Sequence, residues 1–220
     1  MILDILKGVL KGKTIYRSLS NLSLKHIKLD GEGIDLGAKS NKSSYYKFLN
    51  ITPGTNITYT DWFSEEPEIL KLDLEKPFLI QNESKDFVIL MNVLEHLYNY
   101  NNCISESYKI LKKNSPLIGV VPFIHKIHPD PDDYFRYTKS SLERIFKEAG
   151  FSDVTILPLS IGPLTTSISL VFPLVPTRFL KALITVILYC FDKVLLKLFK
   201  NHPGVRKDYF PLGYFFYCIK

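Results

Sequence analysis

Polar residues follow four apolar runs of strand length. Asp35 follows the first run, Asp61 the second and Asp73 the third, and Asn92 begins an Asn-Val-Leu-Glu-His stretch after the fourth. In an open α/β sheet, ligands bind outside the carboxyl ends of the strands. A carboxylate after the second strand can accept both ribose hydroxyl protons, and one after the third can face an adenine amino group. The series therefore predicts a polar sheet edge that binds a nucleoside.

Two further observations bear on this edge. Each aspartate, taken singly, could instead cap the turn or helix that follows it. A dinucleotide-binding fold would need Gly-x-Gly-x-x-Gly after the first strand, but the only glycine in residues 36–41 is Gly37. A nicotinamide enzyme is therefore disfavoured, and the choice between capping and ligand binding stays open.

A loop rich in histidine and aspartate, residues 125–138, follows the fifth predicted strand. His125 and His128 stand three residues apart and aspartates follow them, a composition that could bind a metal ion. The histidines lack the i, i+4 helical spacing of common metal motifs, so we predict no metal site. Because prolines stiffen the loop and it leads into the next helix, we interpret it as a lid on the substrate side.

The lid supplies candidate substrate-binding and catalytic residues. Arg136 can orient an anionic substrate or pair with a neighbouring aspartate, and Tyr134 can bind or pack. His128 is the first candidate for a general base and His96 the second, because imidazole titrates near neutral pH. His96 could instead bond nearby backbone at the start of a helix. The predicted substrate-binding residues are His125, Asp133, Tyr134 and Arg136.

The elements that must position these residues alternate along the chain. Short apolar runs alternate with helical patterns, which is typical of βα units around a mostly parallel sheet and predicts the α/β class. Helices are predicted near 43–50, 104–111 and 138–149, the last with Thr138 as its N-cap and Gly150 as its stop. The predicted strands are 33–37, 57–60, 69–72, 87–91, 117–121, 154–159 and 214–219.

An apolar insertion, residues 161–200, separates the sixth and seventh predicted strands. Prolines interrupt the charge-free stretch 154–177, and charged residues interrupt the helical pattern at 179–199, so we predict no membrane span. Lys193, Lys197 and Lys200 share one face, which favours an amphipathic helix that binds an anionic membrane surface. Packing against protein, including a homodimer through residues 179–200, explains the apolar face equally well. The interrupting charged residues are Lys181, Asp192, Lys193 and Lys197.

Composition narrows the class of protein. The 220 residues fit one domain, with a helical extension at 1–29, a core at 33–160, the insertion, and a final strand within 201–220. The net charge of +6 is spread along the chain, so nucleic acid is not expected as the main partner. The cysteines form no Cys-x-x-Cys pair and no secretory signal is evident, which predicts a cytoplasmic protein.

Four stretches carry a family resemblance. They are Ile-Asp-Leu-Gly-Ala at 34–38, Asp-Leu-Glu-Lys-Pro-Phe at 73–78, Val-Leu-Glu-His at 93–96 and His-Pro-Asp-Pro-Asp-Asp-Tyr-Phe-Arg-Tyr-Thr at 128–138. With them, the chain resembles class I S-adenosylmethionine-dependent methyltransferases, and more narrowly the small enzymes associated with surface-polysaccharide and glycan modification. The resemblance implies a Rossmann-like, seven-stranded, mostly parallel sheet with helices on both faces and an antiparallel last strand.

The resemblance also implies S-adenosylmethionine as the cofactor and assigns its binding residues by motif. Lys39 stands where the family usually has a further glycine, and its side chain could crowd the amino-acid portion of the cofactor. The resemblance implies that Asp35, Gly37 and Ala38 contact the methionine end of the cofactor and that Asp61 contacts the ribose. It implies that Asp73 and Leu74 contact the adenine and that Asn92 and Glu95 close the site.

We therefore predict methyl transfer to a sugar, glycan or lipid-linked acceptor, in the cytoplasm and at the membrane periphery. Two alternatives stay open. Lys39 suggests a non-catalytic cofactor-binding or interaction protein. A nucleic-acid methyltransferase is the other alternative, although the chain lacks the Asn/Asp-Pro-Pro-Tyr/Phe motif of amino-group base methylation.

Overall fold

A seven-stranded sheet organises the chain in this computed structural model, which describes residues 1–38, 43–202 and 204–220. The strand order across the sheet is β5-β4-β2-β6-β7-β9-β8, and β1 pairs with β3 in a separate two-stranded ribbon. The strands are β1 Lys28–Leu29, β2 Glu32–Asp35, β3 Asn50–Ile51, β4 Asn56–Thr60, β5 Ile69–Leu70, β6 Phe87–Met91, β7 Pro116–Pro122, β8 Asp153–Leu159 and β9 Gly213–Ile219.

All but the last strand follow the predicted direction of a parallel α/β sheet. β2 pairs in parallel with both β4 and β6, and further parallel pairs join β4 to β5 and β6 to β7. β9 runs antiparallel to β7, as two hydrogen bonds show. Lys220 N, after β9, donates to Ser115 O, before β7, and Phe123 N, after β7, donates to Leu212 O, before β9. The α/β fold class with an antiparallel last strand is thus confirmed.

The order of the strands creates a crevice at the carboxyl edge. The chain moves outward from β2 through β4 to β5 and then returns to place β6 on the opposite side of β2. Ligands bind at such reversal points in open α/β sheets. All five residues of β6 are buried, as its continuous apolar sequence predicts for a strand covered on both faces.

Six helices and four short 3-10 turns occupy the described residues. α4 begins as predicted, because Thr138 Oγ1 accepts a 3.2 Å hydrogen bond from Ser141 N, and Gly150 follows the helix with a φ of 106°. The 3-10 turns are Ser44–Phe48, Leu94–His96, Phe172–Leu174 and Lys207–Tyr209. The helices are α1 Ile2–Leu10, α2 Ile15–Ser23, α3 Tyr100–Ile110, α4 Lys139–Glu148, α5 Pro163–Val171 and α6 Arg178–Leu198.

The described chain forms two compact units. The helical unit comprises Met1–Ser23, Pro122–Lys126 and Pro158–Tyr214, and the sheet unit comprises Leu24–Val121, Ile127–Leu157 and Phe215–Lys220. The helical unit contains α1, α2, α5 and α6, whereas α3, α4 and most strands lie in the sheet unit. The assignment of residues 1–220 to a single domain stays a prediction.

The insertion forms two helices, α5 and α6, within the helical unit. Asp192, which the sequence counts among the charges interrupting the apolar pattern, is buried rather than exposed. Its carboxylate accepts 2.9 Å hydrogen bonds from Leu164 N and Thr165 N and a 2.5 Å bond from Thr165 Oγ1, so it caps the start of α5. Lys200 lies beyond the end of α6, so it does not belong to the predicted helical face. Among the described residues, no helix has the length and apolarity needed to cross a membrane.

Candidate active site

A cavity of about 310 Å³ lies at the carboxyl edge of the sheet, within the sheet unit. Its walls come from the turns after β2, β4 and β6, the segment after β5, and the lid loop. The predicted site residues that line it are Gly37, Asp61, Asp73, Leu74, Asn92, His96 and Tyr134. The structure therefore gathers residues from four separate motifs around one space.

Asp35 is buried at the end of β2 and is not part of the cavity wall. Tyr45 donates a 2.6 Å hydrogen bond to its Oδ2, and Tyr46 donates a second one to the same oxygen. Its Oδ1 is buried and has no hydrogen-bond partner among the described residues. Burial raises the pKa of Asp35 to about 7, although the two phenol donors oppose this shift.

Tyr45 and Tyr46 are residues that the sequence interpretation missed. They lie in the 3-10 turn Ser44–Phe48, where their rings stack with centroids 4.8 Å apart. Burial, and then the nearby Asp35 carboxyl, raise the pKa of both phenols, so both remain hydrogen-bond donors at neutral pH. The only signal in the sequence is a pair of tyrosines in the predicted helix after the first strand, and such a pair has no fixed meaning.

Gly37 makes the turn after β2 possible. Its φ is 76°, and a Cβ at this position would lie 2.9 Å from Val93 Cγ2. The amide of Gly37 donates a 3.1 Å hydrogen bond to Thr60 Oγ1, which ties this turn to the end of β4. Ala38 is buried but does not line the cavity. Lys39 lies outside the described residues, so the expectation that its side chain crowds the amino-acid portion of the cofactor stays a prediction.

Asp61 and Asp73 face the cavity and also shape their own turns. Asp61 Oδ1 accepts a 2.8 Å hydrogen bond from Phe63 N, and Asp73 Oδ1 accepts a 3.0 Å bond from Glu75 N. Asp73 Oδ2 lies 3.0 Å from Lys76 Nζ. The two roles considered for these aspartates are therefore compatible, because a carboxylate that caps a turn keeps acceptor capacity for a ligand.

Trp62 and Phe63 form an exposed aromatic part of the cavity wall that the sequence interpretation missed. They follow Asp61 directly, and the ammonium groups of Lys71 and Lys76 lie 5.7 and 5.6 Å from the Trp62 ring. Exposed aromatic rings beside a carboxylate suit a planar base next to a ribose. The available signal was the chain's one tryptophan, placed immediately after a predicted strand-end aspartate.

Glu95, His96 and His128 form a cluster, which we call the histidine cluster. Glu95 is fully buried and does not line the cavity, and neither of its carboxylate oxygens has a hydrogen-bond partner among the described residues. Its Oε1 lies 3.6 Å from His128 Nε2 and 3.8 Å from His96 Nε2. The two imidazole rings meet edge to face, with centroids 5.0 Å apart. The structure therefore unites both predicted catalytic histidines with a carboxylate that the resemblance placed on the cofactor side.

The other ring nitrogens of the histidine cluster contact acceptors in the lid. His96 Nδ1 lies 2.6 Å from the carbonyl oxygen of Asp132, and His128 Nδ1 lies 3.2 Å from Asp133 Oδ2. A carbonyl and a carboxylate only accept hydrogen bonds, so we assign the ring proton of each neutral imidazole to Nδ1. The longer 3.5 Å contact between His128 Nδ1 and an Arg136 nitrogen does not compete with the carboxylate. Both Nε2 lone pairs then face Glu95.

The lid is braced by an ion pair rather than left open for a substrate anion. The guanidinium nitrogens of Arg136 lie 2.5 and 2.7 Å from the two oxygens of Asp133, and this pairing holds the pKa of Asp133 well below its usual range. Neither residue lines the cavity. Tyr134 does line it, and its hydroxyl donates a 3.0 Å hydrogen bond to Asp132. His125 belongs to the helical unit, where its ring packs edge to face on Tyr16.

Comparison with known proteins identifies the fold. No protein-family model and no curated protein sequence matches the chain. Among solved structures, a S-adenosylmethionine-dependent methyltransferase from Archaeoglobus fulgidus aligns with a TM-score of 0.55 and 18% identity, covering 90% of this chain and 88% of that one. A possible histamine N-methyltransferase from Thermotoga maritima aligns with a TM-score of 0.54 and 14% identity, covering 100% of this chain and 88% of that one.

A third structure was solved with ligands bound. Phosphoethanolamine N-methyltransferase 2 from Haemonchus contortus, in complex with phosphomonomethylethanolamine and S-adenosylhomocysteine, aligns with a TM-score of 0.53 and 13% identity over 91% of this chain. This chain spans about half of that protein, 52% of its length. Together the three likenesses show that the chain has the fold of the class I S-adenosylmethionine-dependent methyltransferases.

Proposed function

We propose that this chain binds S-adenosylmethionine at the cavity and transfers its methyl group to a small-molecule acceptor. The observation that carries the proposal is the cavity itself, which the strand-end residues Gly37, Asp61, Asp73 and Asn92 line in a sheet with the methyltransferase strand order. A solved structure with this fold, from Haemonchus contortus, holds S-adenosylhomocysteine. The proposal rests on the agreement between this fold and the side chains of the cavity.

The residues present fit the cofactor that the fold implies. Asp35 Oδ1, which is buried and has no hydrogen-bond partner among the described residues, can accept a bond from the ammonium of the cofactor's amino-acid end. A side chain at Gly37 would clash with Val93, so glycine keeps this turn narrow enough for close approach of a ligand. Asp61 lines the cavity and can accept from the ribose hydroxyls, and Asp73 and Leu74, which also line it, can contact the adenine.

The histidine cluster serves the acceptor side. When bound, the cofactor supplies an electrophilic methyl group, and much of the catalysis is the positioning of the acceptor for in-line displacement. An acceptor hydroxyl must also lose its proton. His128 has its ring oriented by Asp133 and directs Nε2 inward, which suits a general base, and His96 is oriented in the same way by the Asp132 carbonyl.

We assign the acceptor to the sugar, glycan or lipid-linked class. The support is the resemblance of residues 128–138 to enzymes of glycan modification, together with the position of this lid over the cavity, where Asp130, Pro131, Asp132 and Tyr134 form part of the wall. Hydroxyl and carboxylate groups at the mouth of a cavity suit hydrogen bonding to a polyhydroxylated acceptor. This assignment is independent of the cofactor assignment.

A membrane-facing role for the helical unit would bring the protein to a lipid-linked acceptor. α6 carries an exposed apolar stripe at helical spacing, in which Phe191 is 59% and Leu198 74% exposed, with Lys193 and Lys197 exposed beside it. The stripe residues are Leu180, Leu183, Ile187, Phe191, Val194 and Leu198. So much apolar surface on one face suits insertion into a lipid interface, with basic side chains at the head groups.

A basic cavity lies at the start of the same helix. The helical unit encloses a space of about 230 Å³ whose wall includes Lys13, Lys126, Arg178 and Lys181, and no aspartate or glutamate is among the described residues that line it. Arg178 and Lys181 lie on the first turn of α6, the helix that carries the apolar stripe. Apolar wall residues such as Leu170 and Phe172 complete a space suited to an anionic head group.

The test combines binding and transfer. Purified full-length chain is titrated calorimetrically with S-adenosylhomocysteine, and the same preparation is incubated with S-adenosylmethionine and candidate glycans, which are then examined by mass spectrometry for a gain of one methyl group. Binding together with methylation of a glycan supports the whole proposal. Binding with no transfer to any acceptor favours the non-catalytic alternative, and absence of binding overturns the cofactor assignment.

A further inference from the structure

We propose that Glu95, His96 and His128 bind a divalent transition-metal ion. The three residues offer one carboxylate oxygen and two imidazole nitrogens that all lie within 4.8 Å of one another. Two histidines and one carboxylate form a recurrent donor set for Zn²⁺, Fe²⁺ and related ions. The sequence predicts no metal site, a prediction that weighed the histidines and aspartates of the lid. The present set combines His128 of the lid with two residues of the turn after β6.

The burial of Glu95 is the first observation behind this site. Its side chain is 0% exposed, and both of its oxygens are without a hydrogen-bond partner among the described residues. A buried carboxylate is costly unless it is paired or coordinates a metal. The atoms that approach its Oε1 are the two histidine Nε2 atoms, and the tautomers assigned above direct lone pairs at it rather than protons. With neutral imidazoles, three lone pairs are directed at one another, an arrangement that a cation between them would stabilise.

The contacts of the two Nδ1 atoms are the second observation. A histidine that binds a metal ion usually donates its other ring N–H to a carboxylate or a backbone carbonyl, which fixes the ring and makes the ligating nitrogen more basic. His128 has the carboxylate of Asp133 in this position and His96 has the carbonyl of Asp132. Arg136 and the backbone amide of His128 both bond the same Asp133 carboxylate, so that carboxylate is itself held in place.

The distances allow coordination after small side-chain rotations. A tetrahedral ion with ligands at about 2.1 Å needs them about 3.4 Å apart, and the Oε1–Nε2 distances of 3.6 and 3.8 Å are only slightly longer. His96 is 13% and His128 30% exposed, so an ion has a route from solvent. Nitrogen donors favour Zn²⁺, Co²⁺ or Fe²⁺ over Mg²⁺, Ca²⁺ and Mn²⁺, which prefer oxygen.

The site gains a catalytic meaning only through the proposed function. Three protein ligands leave a coordination position open, and His96 lines the cavity. If the chain is a methyltransferase and the ion is bound, His128 Nε2 is a ligand and no longer a general base. An acceptor hydroxyl at the open position would then coordinate the ion and lose its proton to solvent more readily, because a bound divalent ion stabilises the oxyanion. Metal binding itself does not depend on that step.

Co²⁺ titration tests the site directly. Full-length protein is treated with a chelator, dialysed and titrated with Co²⁺ while its visible absorption is recorded, and Zn²⁺ is then added in competition. We expect saturation at about one equivalent, with the band intensity of a low-coordinate, nitrogen-ligated ion and displacement by Zn²⁺. His96→Asn should weaken Co²⁺ binding by about 100-fold or more, since a ligand counts for at least as much as the outer-shell partners that cost 10–100-fold. His26→Asn, at an exposed histidine outside the cluster, should change nothing.

Each outcome decides the matter. Absence of a Co²⁺ band in the unmodified protein overturns the proposal without any variant, and so does equal Co²⁺ affinity in His96→Asn and His26→Asn proteins with matching circular dichroism. If His96→Asn fails to fold, Glu95→Gln, which preserves shape and removes the charge, must show the same loss of Co²⁺ affinity. S-adenosylhomocysteine binding is measured on the same metal-free sample. If this sample binds S-adenosylhomocysteine but not Co²⁺, the metal proposal fails and the proposed function stands. If it binds Co²⁺ but not S-adenosylhomocysteine, the proposed function fails and the metal site stands.

Discussion

The hydroxyl of Tyr45 donates a 2.6 Å hydrogen bond to Asp35 Oδ2, and this bond leaves the opposite oxygen as the acceptor that a ligand can use. Tyr46 bonds the same Oδ2, so the phenols hold the carboxyl in one orientation. Burial raises the pKa of Asp35 to about 7 in the free protein. The proposed contact between Oδ1 and the cofactor ammonium would compensate this buried charge.

Cofactor affinity should increase with pH until about pH 7. Below that pH Asp35 is protonated in the free protein, and pairing with the cofactor ammonium requires the ionised form, so binding releases a proton. The association constant of S-adenosylhomocysteine should therefore fall by up to about tenfold for each pH unit below 7 and level off above it. Calorimetry between pH 5.5 and 8 measures this slope.

Asp35→Asn is the matched control for that slope. The amide keeps an acceptor for Tyr45 but cannot ionise, so its affinity should be lower at pH 8 and nearly independent of pH over the same range. A variant whose pH profile matches that of the unmodified protein would show that another group governs the dependence.

Asp61→Ala should weaken S-adenosylhomocysteine binding by about 1–3 kcal/mol, because the proposed hydrogen-bonded contact to the ribose is lost. The alanine also removes the acceptor for Phe63 N, so Asp61→Asn, which keeps that acceptor, separates the turn from the ligand contact. Weakening in the alanine variant alone would assign the effect to the turn. Unchanged calorimetric affinity in both variants would remove Asp61 from the cofactor site.

His128→Ala should reduce methyl transfer far more than it reduces cofactor binding. Loss of a general base typically slows a reaction by about 10² to 10⁴, and His128 does not line the cavity where the strand-end residues lie. Single-turnover rates and S-adenosylhomocysteine affinity are compared in the same preparation. Normal turnover in the variant would exclude His128 from catalysis and leave the lid role intact.

Asp192→Ala should destabilise the helical unit. The carboxylate is buried and accepts from two backbone amides and a hydroxyl at the start of α5, so its removal leaves buried donors unsatisfied. We expect the free energy of unfolding to fall by about 1–3 kcal/mol, measured by urea titration. Asp208→Ala, at an aspartate of the same unit whose side chain is 43% exposed, is the comparison and should be near neutral. Equal stability of the two variants would contradict the capping role.

Sequence patterns located the elements of the sheet well, for physical reasons visible in single strands. β6 matches its predicted bounds because a run of five apolar residues, which is short for a helix, is typical of a strand buried on both faces. α4 begins where Thr138 predicts it, because capping is a local interaction between a side chain and the next turn. The strand-end aspartates reach one cavity for a topological reason, since parallel strands share their carboxyl edge.

Contacts between distant parts of the chain were not predictable in the same way. Nothing local to Glu95 indicates that its side chain meets His128, because that contact depends on how the lid folds back, with Tyr134 N bonded to Glu95 O. The same holds for Asp192, which looks like an interruption of an apolar helix and instead caps another one. Residue type and spacing identify candidates, but side-chain partners in these cases are set by tertiary packing.

The helical unit should bind anionic vesicles in a salt-sensitive way. The apolar stripe of α6 supplies the surface that enters the lipid interface, and the exposed lysines beside it each add about 1 kcal/mol near anionic head groups, an attraction that salt screens. Flotation with phosphatidylcholine vesicles, with and without phosphatidylglycerol, should show binding only to the anionic vesicles and release at high salt.

Ile187→Gln with Phe191→Gln should abolish binding at any salt concentration, because both side chains are exposed members of the stripe. Arg178→Gln with Lys181→Gln should reduce binding at low salt, and Lys147→Gln, an exposed lysine of α4, should not. Failure to float with anionic vesicles, together with a dimer in size-exclusion chromatography that the two stripe substitutions dissociate, would assign the stripe to a contact between two copies of the chain.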